Sequence, residues 1–427
     1  MSDRISRRDA LARLASSFAA AAAAGAGCAR RTGGEGEASL WFAYGGKNRE
    51  VLLSLVDRFH AEQRIHRIHA VYQGDYFEAL AKLRTAIAAR AAPALTHVVG
   101  EVVPYLERAG VLSALDQFGK ERKFDLVPEL GQERSFVGGA DRPLVALPFN
   151  RSTPIAYYNR EIFERLGLGP PKTWTELVET SRAATVRAAD GSVTRYGFAC
   201  PVDWWFWVAL VGQAGGTVIE ADGTPSLGGE AGVRALALWQ RLVHEERTMK
   251  PPPGRDYNAW QATNTDFLAG RVAMIWTSTA FLRYLETNAR FPVVAAPLPA
   301  DVKKSVPTGG TMFVMPRGAP EREQEAAFSF LQWMMEPRQA NEWATRTGYM
   351  PVSRPGLRAL EESGFYREHP NDRVAIDQLA DAFAWPWAPA LFRIQREAVQ
   401  PRLEEAVLGR RDARETLEEA RRAAREP

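Results

Sequence analysis

From residue 39 onward the chain alternates short apolar runs with longer stretches whose apolar residues recur every three or four positions. The run SLWFAY at 39–44 predicts a strand, because short apolar runs bounded by polar or glycine residues suit a buried strand. The stretch that follows places Val51, Leu52, Leu55, Val56 and Phe59 on one face at the 3.6-residue period, which predicts an amphipathic helix. The pattern then predicts a strand at 68–72, a helix at 76–90, a strand at 95–99 and a helix over 101–109. This strand–helix rhythm implies a largely parallel sheet. Open sheets of that kind bind ligands beyond the carboxyl ends of their strands, where Gly45-Gly46, Gly74 and Gly100 fall.

The middle of the chain repeats the rhythm. Strands are predicted at 144–149 and 154–159, and again at 272–276 after a helix ending at Gly270. Thr173, with Glu176 three residues later, has the spacing of a helix capping box. The run Asp203-Trp204-Trp205-Phe206-Trp207 opens another helical stretch. The carboxyl-terminal quarter reads as mostly helical, closing on a charged, exposed helix at 411–425.

Composition narrows the classes. The 427 residues are 46% apolar and 25% charged, ordinary for a soluble globular chain and enough for two lobes. Lys and Arg number 54 against 51 Asp and Glu. Of the net +3, +2 belongs to the first 27 residues, where Arg4, Arg7, Arg8 and Arg13 face Asp3 and Asp9. The remaining +1 is too small for a nucleic-acid binder, which needs a strongly basic face. Two cysteines, Cys28 and Cys200, exclude a disulfide framework.

Residues 1–28 read as an address rather than as fold. Ser6-Arg7-Arg8 precedes an Ala-rich apolar run at 14–26, too short to span a bilayer, and Gly27-Cys28 closes it. The arginine pair resembles a twin-arginine export signal, and Cys28 after small residues resembles a bacterial lipobox, the site of a lipid anchor. Residues 29–38 follow as a flexible Gly-rich tether. The expected location is outside the cytoplasm, in the periplasm or held as a lipoprotein on the outer face of the cytoplasmic membrane.

The sequence has no G-x-x-x-x-G-K-[ST] loop, no G-x-S-x-G elbow and no H-E-x-x-H. His60, His66 and His69 lie close in sequence but have no Cys or carboxylate cluster beside them, and read as polar residues around a helix–strand connection. Cys200 reads as a small buried apolar residue. An enzyme such as an extracellular phosphodiesterase would need a metal cluster or an activated nucleophile. The expectation is a binding protein rather than an enzyme, with no cofactor and no metal.

Four segments carry a resemblance. They are LPFNRSTPIAYYNREIFERLGLGPPKTWTELVE (147–179), PTGGTMFVM (307–315), TGYMPVS (347–353) preceded by Trp343, and GFYREHPNDRVAIDQL (364–379). In this order and spacing they resemble the family-1 extracellular solute-binding proteins of ABC importers, and within them the sn-glycerol-3-phosphate-binding subgroup, over about residues 39–410. The resemblance implies an α/β, two-lobe periplasmic-binding-protein fold of type II-like form. Each lobe would be a central sheet flanked by helices, with the ligand cleft between them. Lobe 1 would comprise 39–150 and about 278–333, and lobe 2 about 151–277 and 334–427, with crossing strands near 145–158 and 272–280.

The resemblance also implies ligand contacts. The Tyr76 hydroxyl would donate to an anion, and Glu101 would accept from glycerol hydroxyls. Ser152 would offer a hydroxyl, as would Ser278, with Thr277 and Thr279 as near equivalents. The backbone N–H at Gly310, after Gly309, would reach an anion with no side chain in the way. Tyr349 completes that wall. Arg396 would hold two phosphate oxygens in a planar fork, with Arg393 one turn earlier on the same helix. The subgroup carries two Trp residues in the segment matching 200–207. Here Val202 takes one position, while Trp204 and Trp205 or Trp207 supply the other, and Asp203 adds a carboxylate that either enters the cleft or caps the following helix. The ligand implied is sn-glycerol 3-phosphate or a glycerophosphodiester, passed by a monomeric protein to a membrane permease. A glycerophosphodiester with a cationic head group suits the smaller Val202 and the Trp faces. The alternative is a sugar or oligosaccharide.

Overall fold

The computed structural model describes residues 36–118, 124–131, 143–251, 253–254 and 256–426. The export segment, Cys28 and tether residues 29–35 lie outside the described residues. The chain opens with β1 (Glu37–Phe42), which starts two residues inside the expected tether. It is followed by β2 (Arg67–Tyr72), β3 (Leu95–Val99), β4 (Ala146–Ser152) and β5 (Pro154–Asn159). Next come β6 (Val186–Arg187), β7 (Val193–Ala199), β8 (Met249–Lys250), β9 (Val272–Ser278) and β10 (Val293–Ala296). The last strands are β11 (Val306–Pro307), β12 (Gly309–Val314) and β13 (Ala382–Phe383).

Two sheets form the two lobes. The first runs β2-β1-β3-β12-β4, and the second β10-β5-β9-β7-β6 with β8 beside β7. In the first, β1 lies parallel to β2 and β3, as the βαβ rhythm requires. However, β12 is antiparallel to both β3 and β4. The sheet is therefore mixed: β12, the one strand of it built by chain returning from the other lobe, runs against the other four.

The helices are held by the faces their sequences mark. In Gly46–Glu62 the buried residues are Val51, Leu52, Leu55, Val56 and Phe59. Thr173 caps Trp174–Ala184 by accepting from Glu176 N, while the Glu176 carboxylate accepts from Lys172 N, one residue before the cap. Every residue of Trp204–Gln213 is buried, so this helix is a core element with no solvent face. The helix Ala413–Arg425 is charged yet not wholly exposed. Ala413, Thr416, Leu417, Ala420 and Ala424 form a buried stripe against Gly229–Gln240 and the turn at Ile394–Val399.

Thr153 alone separates β4 from β5, which belong to different sheets. The expected crossing at 272–280 is corrected. β9 stays in the second sheet, antiparallel to β5 with Pro154 opposite Ser278, and β10 pairs with β5 on its other side. The chain returns to the first sheet only between β10 and β12, through 297–308. Residue numbers alone therefore misassign β10. They also misassign the helix Pro337–Thr347, which packs against Gly46–Glu62 under the first sheet.

Candidate functional site

Tyr76 is the first residue of the helix Tyr76–Ala88. Asp75 fixes that helix start by accepting from Phe77 N and Glu78 N, and the Glu78 side chain completes the capping box. The Tyr76 hydroxyl lies 3.2 Å from the Tyr349 hydroxyl. Burial raises the pKa of both phenols, that of Tyr349 well above its ordinary value, so both are neutral donors. Tyr349 stacks on Trp343 at 5.9 Å, and Trp343 stacks on Phe149 at 4.7 Å. His97 closes the box. It stacks on Tyr44 at 5.1 Å and meets Tyr76 edge-on at 5.9 Å. Its Nε2 accepts from Ala43 N, and burial pushes its pKa down to about 3, so the ring is neutral. Asn150 is fully buried, and its side-chain amide has no hydrogen-bond partner among the described residues.

A second group gathers where β4, β12 and the helix Trp204–Gln213 converge. Gly309 and Gly310 of β12 pair with Ser152 and Arg151 of β4, and the register slips between Gly310 and Met312. Gly310 adopts φ +100°, and a Cβ there would lie 1.6 Å from the Asn150 carbonyl oxygen, so only glycine fits. A Cβ on Gly309 would fall 2.6 Å from the Trp205 indole, which lies against that glycine. Trp205 is 8% exposed, with Trp260 at 5.6 Å. Ser152 is buried at the end of β4.

Arg151, which the sequence reading passed over, is fully buried and donates from Nη2 to Thr308 Oγ1 at 2.7 Å. Glu101 follows β3 in a short 3-10 turn and is also buried. Burial raises its pKa above the usual carboxylate range. Its backbone and the Arg151 charge pull that pKa back, and Asp203 pushes it further up.

The remaining sequence candidates separate. Ser278 is buried at the end of β9, and its Oγ accepts from Ala280 N as a turn cap. The Thr277 and Thr279 hydroxyls are buried without a partner among the described residues. Trp204 is corrected: it is fully buried, stacks on Trp385 at 6.2 Å and belongs to the core of the second lobe. Trp207 is likewise buried and donates to the Gly232 carbonyl at 3.4 Å. Asp203 caps its helix, accepting from Trp205 N at 2.9 Å.

The Arg396 guanidinium sits 3.9 Å over the Phe77 ring, reaching the start of the first-lobe helix that carries Tyr76. Arg393 points elsewhere, donating to the carbonyls of Ala423 and Ala424 at 3.4 and 3.1 Å. A π-helical turn over Ile394–Val399 follows Arg393 directly and rotates the two arginines off a common face. Besides Arg151, the sequence reading also missed Trp260. It lies half-buried in the helix Asp256–Leu268, 5.6 Å from Trp205.

The two groups together hold neutral phenols, hydroxyls, a glycine pair, an arginine and an indole face drawn from both lobes, chemistry that can donate to and stack on a small ligand. Among the described residues, no three His, Cys, Asp or Glu side chains gather at metal-binding spacing.

Comparison with known proteins places this arrangement. The family described as bacterial extracellular solute-binding protein matches residues 54–370. The sn-glycerol-3-phosphate-binding periplasmic protein UgpB of Yersinia pseudotuberculosis is 26% identical over 372 residues, 83% of this chain and 83% of that protein. UgpB of Escherichia coli O1:K1 / APEC is 26% identical over 378 residues, 82% of each. The crystal structure of UgpB from Mycobacterium tuberculosis in complex with glycerophosphocholine has a TM-score of 0.78 at 23% identity, covering 92% of this chain and 98% of that one. The GacH receptor of Streptomyces glaucescens has a TM-score of 0.80 at 18% identity, covering 92% and 98%. These likenesses show the fold to be that of two-lobe periplasmic binding proteins.

Proposed function

The chain belongs to the bacterial extracellular solute-binding proteins, and from that premise we propose that it binds sn-glycerol 3-phosphate or a glycerophosphodiester between its lobes and delivers it to an ABC permease. The observation that carries this reading is Arg396, whose guanidinium reaches across from the second lobe to the Tyr76–Phe77 helix start of the first. A planar five-donor fork suits phosphate oxygens. The protein makes and breaks no bond; it closes on its ligand because the closed form binds more tightly.

Trp205 with Trp260 offers the aromatic face that a quaternary ammonium head group would use, worth about 0.5–2 kcal/mol. Glycerophosphocholine is therefore favoured over glycerol 3-phosphate. The same rings also fit the flat face of a sugar, with Glu101 the expected acceptor for its hydroxyls, which is the second reading. Calorimetric titration with glycerol 3-phosphate, glycerophosphocholine and maltose decides between them. Binding of maltose alone would overturn the phosphate reading.

The protein works as a monomer outside the cytoplasm, anchored through a lipid on Cys28 after export through the twin-arginine route. Cys28→Ser is expected to release it from membranes, and Arg7→Lys with Arg8→Lys to hold it in the cytoplasm. Unchanged fractionation of either variant refutes the corresponding step.

A further inference from the structure

Arg151 stands out near the end of β4, just before the chain crosses to the second sheet. Its side chain is fully buried, whereas cations are seldom buried unless something answers their charge. Burying an arginine seldom stabilises a fold over an apolar residue of similar size, because desolvation consumes the gain. Its presence therefore asks for a role in charge.

The surroundings supply one. Glu101 follows β3 of the first lobe, and Asp203 caps the helix Trp204–Gln213 of the second. Asp203 holds Trp205 N, the Trp205 indole lies on Gly309, and the Gly309-Gly310 pair runs beside Ser152 and Arg151. β12 lies between β3, which Glu101 follows, and β4, which carries Arg151, and Glu101 feels both the Arg151 and the Asp203 charge. Thr308, immediately before Gly309, accepts from Arg151 and fixes where the guanidinium sits. Without a cation there, the two acids would leave a negative field that repels an anionic ligand.

We infer that Arg151 is a selectivity residue of the cleft, its guanidinium offsetting Glu101 from one lobe and Asp203 from the other so that the floor accepts a phosphate. This rests on the phosphate-binding function proposed above and adds a second cation to Arg396. Arg396 grips the anion from the second lobe, whereas Arg151 cancels the charge that would oppose it.

The test compares wild type, Arg151→Met, Arg151→Met with Asp203→Asn, and Asp203→Asn alone. Each is titrated calorimetrically at pH 8 with dianionic glycerol 3-phosphate and zwitterionic glycerophosphocholine, with thermal unfolding as the check on folding. Arg151→Met is expected to weaken glycerol 3-phosphate by about 10- to 100-fold and glycerophosphocholine less. Adding Asp203→Asn should restore at least severalfold, since Asn caps a helix as well as Asp does but carries no charge. If Arg151→Met does not fold, Asp203→Asn alone carries the test and should tighten glycerol 3-phosphate severalfold without shifting the melt.

An unchanged ratio between the two ligands in a folded Arg151→Met, or in Asp203→Asn, overturns the inference alone. A wild-type chain that binds neither phosphorylated ligand overturns the proposed function, and the inference with it.

Discussion

Replacing Gly310 with alanine probes the junction on which the cleft floor rests. The residue sits at φ +100°, a left-handed conformation that costs an L side chain about 1–2 kcal/mol. The new Cβ would also lie 1.6 Å from the Asn150 carbonyl oxygen and 2.8 Å from its carbon. That obstacle is backbone, so β4 and β12 must separate by more than an ångström at the bulge, and such overpacking costs about 1–3 kcal/mol more. A total of about 2–5 kcal/mol is expected, enough to matter against ordinary domain stability. Gly309→Ala gives the contrast, because its Cβ meets the Trp205 indole at 2.6 Å, a side chain that can yield. Urea unfolding followed by circular dichroism should rank Gly310→Ala well below Gly309→Ala. Ligand titration should show Gly309→Ala affecting binding out of proportion to stability. Gly310→Ala within about 0.5 kcal/mol of wild type, the range of an ordinary surface change, would refute the reasoning.

Two further outcomes follow from named contacts. Arg396→Ala should weaken a phosphorylated ligand by about 2–5 kcal/mol with little change in melting. Arg393→Ala should instead lower stability by about 1–2 kcal/mol, since it frees two carbonyls of the last helix, and should leave affinity nearly intact; the reverse ranking in parallel titrations and melts would contradict the geometry. His97 stays neutral in the fold down to about pH 3 but protonates below about 6.5 when unfolded, so stability is whole above pH 6.5 and falls as pH drops from there. The slope it contributes approaches ~1.4 kcal/mol per pH unit, and His97→Phe should flatten the acid side of a pH–stability profile by that amount.

Much of the first lobe was legible because its elements are local. The five residues placed on one face of the helix at 46–62 are the five it buries, since a 3.6-residue period leaves little choice once one face meets a sheet. The pairing of β9 and β10 was not legible. An apolar run announces a strand but not its neighbours, which are set by contacts far away in sequence. The Trp run at 204–207 shows the same limit within one turn. Trp205 lies on Gly309 while Trp204 and Trp207 fill the core, a difference fixed by how the helix packs and not by residue type. Arg151 escaped because an arginine in a loop-like Asn-Arg-Ser-Thr-Pro stretch reads as a surface residue. The structure buries it near the end of β4, where its guanidinium donates to Thr308 of the returning chain.

The two ends of the described chain ride on different bodies. β1 opens the first sheet at Glu37, while Ala413–Arg425 is docked on the second lobe by its apolar stripe and by Arg393. A donor dye before Glu37 and an acceptor after Arg425 would therefore report lobe separation directly as energy transfer. The molecule is already laid out as a ratiometric sensor, needing no label inserted near the cleft.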